Sequence, residues 1–144
     1  MILEAKEKDI KNLAKMAREI WDNDNLDELE IEFDQIVRDK NSTCFIKIVD
    51  KKAIGFSNVS LRHDYVEGTE TSPVAYLEGI FVNKEYRKKG YGRELLKACE
   101  NWARKMNCKE FASDSLIDNI ESYKFHLSTG FVEANRIICY KKDL

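Results

Sequence analysis

The chain has 144 residues, of which 43% are hydrophobic and 35% charged, and 24 Lys and Arg against 26 Asp and Glu leave a formal net charge of -2. That is one domain's length with an ordinary globular composition, which excludes intrinsic disorder and argues against non-specific nucleic-acid binding, since such binding needs a basic excess. No apolar stretch approaches the ~20 residues that a bilayer demands, and Glu4, Lys6, Glu7, Lys8 and Asp9 stand where a signal peptide needs its apolar stretch.

Asp9 is placed to cap a first helix whose apolar positions Ile10, Leu13, Ala14, Ala17 and Trp21 recur at helical spacing. Asn23 to Asn25 break it. A second helix follows, with Leu26, Leu29, Phe33, Ile36 and Val37 on one face and a strongly acidic opposite face. From Thr43 the period becomes that of strands. Cys44 to Val49, a turn at Asp50-Lys51-Lys52, and Ala53 to Leu61 read as a hairpin. Arg62 to Ser72 is a polar loop. Pro73 opens a third strand, Val74 to Val82, and proline is tolerated at a strand's first residue. Gly90 to Met106 is the clearest helix, with Tyr91, Leu95, Cys99, Trp102, Ala103 and Met106 as its apolar stripe. Asn107 suits the left-handed conformation that ends it. A short strand, Glu110 to Ser113, comes next. Asp118 and Glu121 form a capping arrangement for a helix to Ser128 that stops at Gly130. Phe131 to Tyr140 supplies the last strands.

The strand-helix-strand passage from Val74 to Ser113 implies one parallel crossover in an otherwise antiparallel sheet. The expected fold class is therefore α/β, a mixed sheet with helices on both faces. With one proline, six glycines and no repeat or evident linker, the chain reads as a single domain over 1–144. Cys44, Cys99, Cys108 and Cys139 form no Cys-x-x-Cys pair, and the only histidines are His63 and His126. This argues against a metal site and for reduced core thiols, Cys44 and Cys99 among them, in a cytoplasmic protein.

Four segments carry chemistry. Arg87-Lys88-Lys89-Gly90-Tyr91-Gly92-Arg93 lies between the third strand and the clearest helix. Unpaired N–H groups at a helix start bind phosphate oxygens, glycines let the backbone approach, and Lys and Arg add charge. The plainer reading is a basic turn with two glycines. Neither a Walker loop nor a dinucleotide fingerprint has this spacing. The second segment is Leu77-Glu78-Gly79-Ile80-Phe81-Val82. A carboxylate in an apolar strand costs free energy unless paired or solvated, and a strand glycine marks a bulge, so Glu78 reads as a site carboxylate where two strands part. An edge-strand Glu facing water is the alternative. The third is Ser113-Asp114, at the carboxyl end of a strand, where ligands of open α/β sheets gather, although Asp114 is equally a turn residue type. The fourth is the acidic run Asp22, Asp24, Asp27, Glu28, Glu30, Glu32 and Asp34. Such a run is usually a solvated face, but beside Trp21 it suits steering of a polycation.

Together these residues resemble the GCN5-related N-acetyltransferases. Arg87-x-x-Gly90-x-Gly92 is similar to that superfamily's coenzyme A pyrophosphate motif, Gly79 to its bulged fourth strand, and Asn119 with Gly130-Phe131 to its later Asn…Gly-Phe element. A narrower resemblance, from Tyr76 to Leu144, is to the aminoglycoside 6′-N-acetyltransferases. It rests on Leu77 to Val82, Glu85-Tyr86-Arg87, Trp102-Ala103, Glu110 to Asp114, Asp118-Asn119, Phe125-His126-Leu127 and Gly130-Phe131. The resemblance implies a mostly antiparallel sheet with one parallel pair, acetyl-CoA as co-substrate, and a homodimer. It implies that Ile80, Phe81, Val82, Lys88, Lys89, Gly90, Tyr91, Gly92, Arg93 and Asn119 hold acetyl-CoA. It implies that Trp21, Tyr65, Glu78 and Asp114 line the acceptor site. Two positions depart from the pattern. His126 stands where the superfamily often has the tyrosine that protonates the departing thiolate, as it does in the subfamily, and Tyr123 lies one turn earlier and faces nearly the same way, so the candidate donors are His126, Tyr123 and water. Asn135 stands where the subfamily often has Glu, which weakens one contact to a cationic ring, with Glu133 as a substitute.

The chemistry fits these residue types. Only the free base of an amine attacks a thioester, so a proton must be removed, and Asp114 and Glu78 are the candidate bases. The carbonyl needs a donor, which the strand backbone near Val82 supplies at the bulge. The expected activity is direct acetyl transfer from acetyl-CoA to the 6′-amine of an aminoglycoside. A polyamine or peptide amine is the nearest alternative acceptor, because only the acceptor half would differ. A non-catalytic acetyl-CoA-binding module gives no reason for Glu78, and a nucleic-acid-binding domain has its basic residues in one short loop only.

Overall fold

A computed structural model describes residues 1–144. Its frame is one sheet of five strands in the order β1 (Ile2–Glu4), β2 (Ser42–Val49), β3 (Lys52–Arg62), β4 (Val74–Val82) and β5 (Phe111–Ser113). The first four pair antiparallel, and β5 runs parallel to β4 after the crossover through α3 (Tyr91–Lys105). This is the mixed sheet the element order predicts. The β2–β3 turn is tight because Asp50 and Lys51 both take positive φ.

Each face of the sheet has its own apolar layer. Helices α1 (Ile10–Ala17) and α2 (Leu26–Arg38) set Leu13, Ala14, Ala17, Leu29 and Phe33 against Ile46, Phe56 and Phe81. On the other face α3 sets Leu96, Cys99 and Ala103 against Val59, Ala75 and Leu77, and α4 (Ile120–Ser128) adds Phe125. Cys44 and Cys99 are buried in these layers. Burial pushes both thiols up, Cys99 to about 12, so both stay protonated and unreactive.

One irregularity positions the site. Asn58 pairs with Gly79 and Val59 with Leu77, so Glu78 is the extra residue of a β-bulge in β4. The bulge shifts the alternation of side chains by one. Leu77 and Ile80 pack towards α3, whereas Phe81 packs towards α1. Beyond Leu77, β4 has no partner on its β5 side, because the parallel pairing covers only Ala75 to Leu77. The bulge thus falls where the two strands part.

Several expectations need correction. Phe131 to Tyr140 forms no strand. It runs on past α4 without a sheet neighbour, and Val132, Ile137, Ile138 and Tyr140 are exposed. Strand β1 escaped the pattern analysis because three residues carry no period. The first helix ends at Ala17, short of Trp21. Asp9 does not cap it. Its carboxylate accepts the Lys6 N–H at 2.9 Å and closes the preceding 3-10 turn, Glu7–Asp9. The α4 cap is Asn119, whose side chain accepts the Ser122 N–H at 3.1 Å, and not Asp118 with Glu121. The bulge lies at Glu78, four positions before Val82, and the Val82 carbonyl accepts from Arg87 Nε at 2.9 Å.

Candidate active site

The turn before α3 is shaped as an anion cradle. Gly90 has φ +84° and caps α3, and a side chain there would carry strain. The amides of Lys89, Gly90, Tyr91, Gly92 and Arg93 donate to no other backbone group, so five N–H donors lie along the helix entry with the positive end of its dipole behind them. Space over the Gly90 Cα is open, with nothing within 4 Å of where a Cβ would stand. Glu94, in the first turn, would oppose an anion, but Lys47 from the centre of β2 binds its carboxylate and lies 4.4 Å from the Tyr91 ring. Lys47 is buried, so this pair also ties the cradle to the sheet. Arg87 does not face the cradle. It braces the end of β4 through Val82 and lies 5.9 Å from the Phe81 ring. Asn119 uses its oxygen as the α4 cap, which leaves its amide nitrogen as a donor.

A second group of side chains gathers at the bulge. The Glu78 carboxylate accepts from Ser60 Oγ at 2.6 Å, and from Arg62 Nε at 3.1 Å and Nη2 at 3.0 Å. The Arg62 guanidinium stacks 3.4 Å from the Tyr76 ring centre. The Tyr76 hydroxyl in turn donates to Asp114 Oδ2. Burial, and then the bond to Asp114, push the Tyr76 phenol well above its ordinary value, so it remains a donor throughout the physiological range. Glu78, Arg62, Tyr76 and Asp114 therefore form one continuous chain across the gap between β4 and β5. On the same face Trp21 stacks on Phe33 at 5.2 Å and lies over Gly79, where a Cβ would stand 3.2 Å from its Nε1.

His126 is held at both nitrogens. Nδ1 lies 2.7 Å from the Ser122 carbonyl, which only accepts, so Nδ1 carries the proton. Nε2 lies 2.8 Å from Ser113 Oγ, one residue from Asp114, and that hydroxyl also donates to the Leu77 carbonyl at 3.4 Å. Tyr65 is exposed on the loop between β3 and β4. Asn135 reaches the same loop and donates to Glu67 at 3.1 Å. Glu133 is taken by Arg136 and by the Tyr123 hydroxyl. Glu110 holds the loop from the other side, accepting the Glu70 and Thr71 N–H groups at 2.8 Å each.

The fold thus collects Trp21, Glu78 and Asp114 at one gap and Lys89 to Arg93 at the helix entry beside it. Tyr65 and Asn135 sit on the loop that borders the gap. Sequence reasoning missed Tyr76, Arg62 and Ser60. Their signal was present as a strand period: Ser60 and Arg62 are two apart on β3, and Tyr76 precedes Glu78 by two on β4. No group of three or more His, Cys, Asp or Glu side chains is set to hold a metal ion.

The profile of the acetyltransferase (GNAT) family matches residues 10–131. The chain is 34% identical over 140 residues to the aminoglycoside N(6')-acetyltransferase type 1 of Acinetobacter haemolyticus, covering 97% of this chain and 96% of that one. Its fold matches the crystal structure of aminoglycoside antibiotic 6'-N-acetyltransferase AAC(6')-IG from Acinetobacter haemolyticus with a TM-score of 0.95, at 33% identity over 100% of this chain and 99% of the other. AAC(6')-Iy in complex with the bisubstrate analog CoA-S-monomethyl-acetylneamine matches with the same TM-score of 0.95, at 33% identity, over 100% and 98% of the two chains.

Proposed function

The chain belongs to the acetyltransferase (GNAT) family, and from that membership and the two-sided site we propose that it transfers an acetyl group from acetyl-CoA directly to the 6′-amine of an aminoglycoside. It is an acyltransferase. The observation that carries the acceptor half is the pair of carboxylates, Glu78 and Asp114, joined through Arg62 and Tyr76 where β4 and β5 part. Two carboxylates and an aromatic ring facing one gap suit an amine-rich ring, and the row of free amides beside them suits a pyrophosphate.

Each residue then takes a role. Lys88, Lys89, Gly90, Tyr91, Gly92 and Arg93 bind the pyrophosphate of acetyl-CoA, and the Asn119 amide nitrogen donates nearby. Ile80, Phe81 and Val82 present the open edge of β4 to the pantetheine arm. Trp21, Tyr65, Glu78 and Asn135 seat the aminoglycoside. Asp114 has one oxygen fixed by Tyr76 and the other free, so it is the better placed base, whereas Glu78 is occupied by Ser60 and Arg62. As the amine nitrogen bonds to the acetyl carbon and the carbon–sulfur bond breaks, Asp114 takes the amine proton, directly or through one water. The sulfur leaves as a thiolate and takes its proton from solvent. His126 holds Ser113 and the end of β5, and is the alternative donor of that proton. The test is CoA release by purified protein with acetyl-CoA and a panel that includes kanamycin, tobramycin and spermidine. Release with aminoglycosides, abolished for the most part by Asp114→Asn, supports the proposal. Release with spermidine alone overturns the substrate.

We further propose that the chain works as a single domain over 1–144, in the cytoplasm, as a homodimer, and that antibiotic resistance is its role. Four unpaired thiols suit a reducing compartment. No helix is long and apolar enough to cross a membrane. The dimer rests on the segment after Gly130. It is rich in strand-forming residues and pairs with no strand, while β5 has one edge free. These are two halves of a strand pairing that a second copy completes. Light scattering tests it: a dimer that becomes a monomer when the chain is cut after Gly130 is the expected result.

A further inference from the structure

Arg62 has no place in the chemistry above, yet it stands inside the acceptor site. Its guanidinium meets Glu78 through three contacts of 3.0 to 3.1 Å, lies flat on the Tyr76 ring, and so fills the ground between the two carboxylates. It is the cation that an acceptor's ammonium would otherwise be. The Arg62 side chain is 43% exposed and that of Glu78 is 29% exposed. A pair this open to water is held by a modest free energy, so a ligand that brings its own ammonium groups can displace the arginine. We propose that Arg62 is a displaceable counter-ion that sets acceptor affinity and speeds product release, a role that rests on the polycationic acceptor proposed above.

The physical need is specific to this reaction. Acetylation removes one positive charge from the acceptor and leaves the others. A site with two bare carboxylates would hold the product almost as firmly as the substrate, because most of the Coulomb attraction survives the reaction. With Arg62 at hand, each departing ammonium is replaced at Glu78 by a guanidinium tethered on the same strand face as Ser60. The replacement is intramolecular and needs no ion from solution. Arg62 thus weakens substrate and product together, which raises the acceptor KM and prevents the product from lingering.

The experiment compares wild type with Arg62→Met, which keeps the stem over Tyr76 and removes the charge, and with Arg62→Lys, which keeps the charge. For Arg62→Met the tobramycin KM and the Ki of acetylated tobramycin should both fall three- to tenfold, with the acetyl-CoA KM unchanged. Arg62→Lys should stay within about twofold of wild type. In a Glu78→Gln background, Arg62→Met should cause no further tightening. A tobramycin KM that rises or holds steady in Arg62→Met overturns the proposal, since an arginine that merely orients Glu78 would weaken binding when removed. Calorimetric titration of tobramycin keeps the two readings separable. If wild type binds tobramycin without turning it over, the acetyl-transfer reading fails and the Kd comparison still decides the role of Arg62. If neither protein binds it, both fail.

Discussion

Gly79→Ala tests whether the bulge and Trp21 were built to fit each other. A Cβ on Gly79 would stand 3.2 Å from Trp21 Nε1 and 3.3 Å from Cζ2, inside the ~3.5–4.0 Å at which such atoms attract. Trp21 cannot retreat inward. Its ring stacks on Phe33 at 5.2 Å and meets Phe56 edge-on at 6.1 Å, and both phenylalanines are fully buried. The ring must tilt outward, over the ground assigned to the acceptor. Overpacking of this kind costs roughly 1–3 kcal/mol, and removing a strand glycine's excess freedom returns about 0.5–1 kcal/mol. The net loss is about 1 kcal/mol, which for a chain of this size lowers Tm by roughly 2–4 °C. Thermal unfolding followed by Trp fluorescence reads that loss, and steady-state kinetics should show the acceptor KM raised severalfold with the acetyl-CoA KM unmoved. A second cycle with Trp21→Ala isolates the contact, because the Gly79→Ala penalty should vanish once the indole is gone. A Tm equal to wild type, or a rise in the acetyl-CoA KM in place of the acceptor KM, would refute the reasoning.

Tyr76→Phe removes only the hydroxyl that holds Asp114. Because Asp114 is exposed and water can replace the bond, stability should fall by no more than ~0.5–1.5 kcal/mol, while kcat at saturation with both substrates drops by about tenfold. Lys47→Met leaves the Glu94 carboxylate unanswered in the first turn of α3, so the acetyl-CoA KM should rise about tenfold with kcat little changed, and the added Glu94→Gln should restore most of it. The Glu110 carboxyl is held below its ordinary value by the Thr71 hydroxyl first and then by the Glu70 and Thr71 N–H groups. A carboxylate lowered by folding supports the structure above its unfolded pKa and is lost as pH falls through the lowered one. The loop that carries Tyr65 should therefore resist limited proteolysis at neutral pH and become cleavable in acid below the ordinary carboxylate range. Glu110→Gln should make it cleavable at pH 7.

The bulge was legible because it breaks two local rules at once. A carboxylate and a glycine side by side in an apolar strand have few stable explanations, and a bulge satisfies both residues. The helix that follows was legible from its apolar stripe and from the glycine at its start. What lay hidden depended on partners distant in sequence. Tyr76 looks like an ordinary strand aromatic until Asp114 arrives beside it just past β5, 38 residues later. Arg62 reads as the start of a loop, since nothing local says that its neighbour is Glu78. Phe131 to Tyr140 has the composition of a strand, but strand formation needs an adjacent edge, and this chain offers the segment none that it reaches.

A single inserted residue in β4 gives one strand two differently furnished halves, which under the proposed function would meet two substrates of opposite charge. Just before the bulge and at it, Tyr76 and Glu78 present a phenol and a carboxylate to the gap, next to Trp21 over Gly79. After it, the alternation is reversed and the strand has left β5, so Ile80 to Val82 offer an open backbone edge that leads to the amides at the start of α3. The overall charge of -2 conceals this division. The acidic run from Asp22 to Asp34 flanks Trp21 on the acceptor face and is for the most part solvated, while Lys84 to Arg93 carry the basic residues at the other end of β4. Removing the extra residue would make Val59–Leu77 and Asn58–Gly79 neighbouring pairs, so Phe81 would keep its place in the α1 layer and the gap would lose only the carboxylate that Ser60 and Arg62 hold. Deleting Glu78 should therefore impair the acceptor and spare the acetyl-CoA KM, as Glu78→Gln should, and a joint loss of both would show that the bulge itself shapes the cofactor edge.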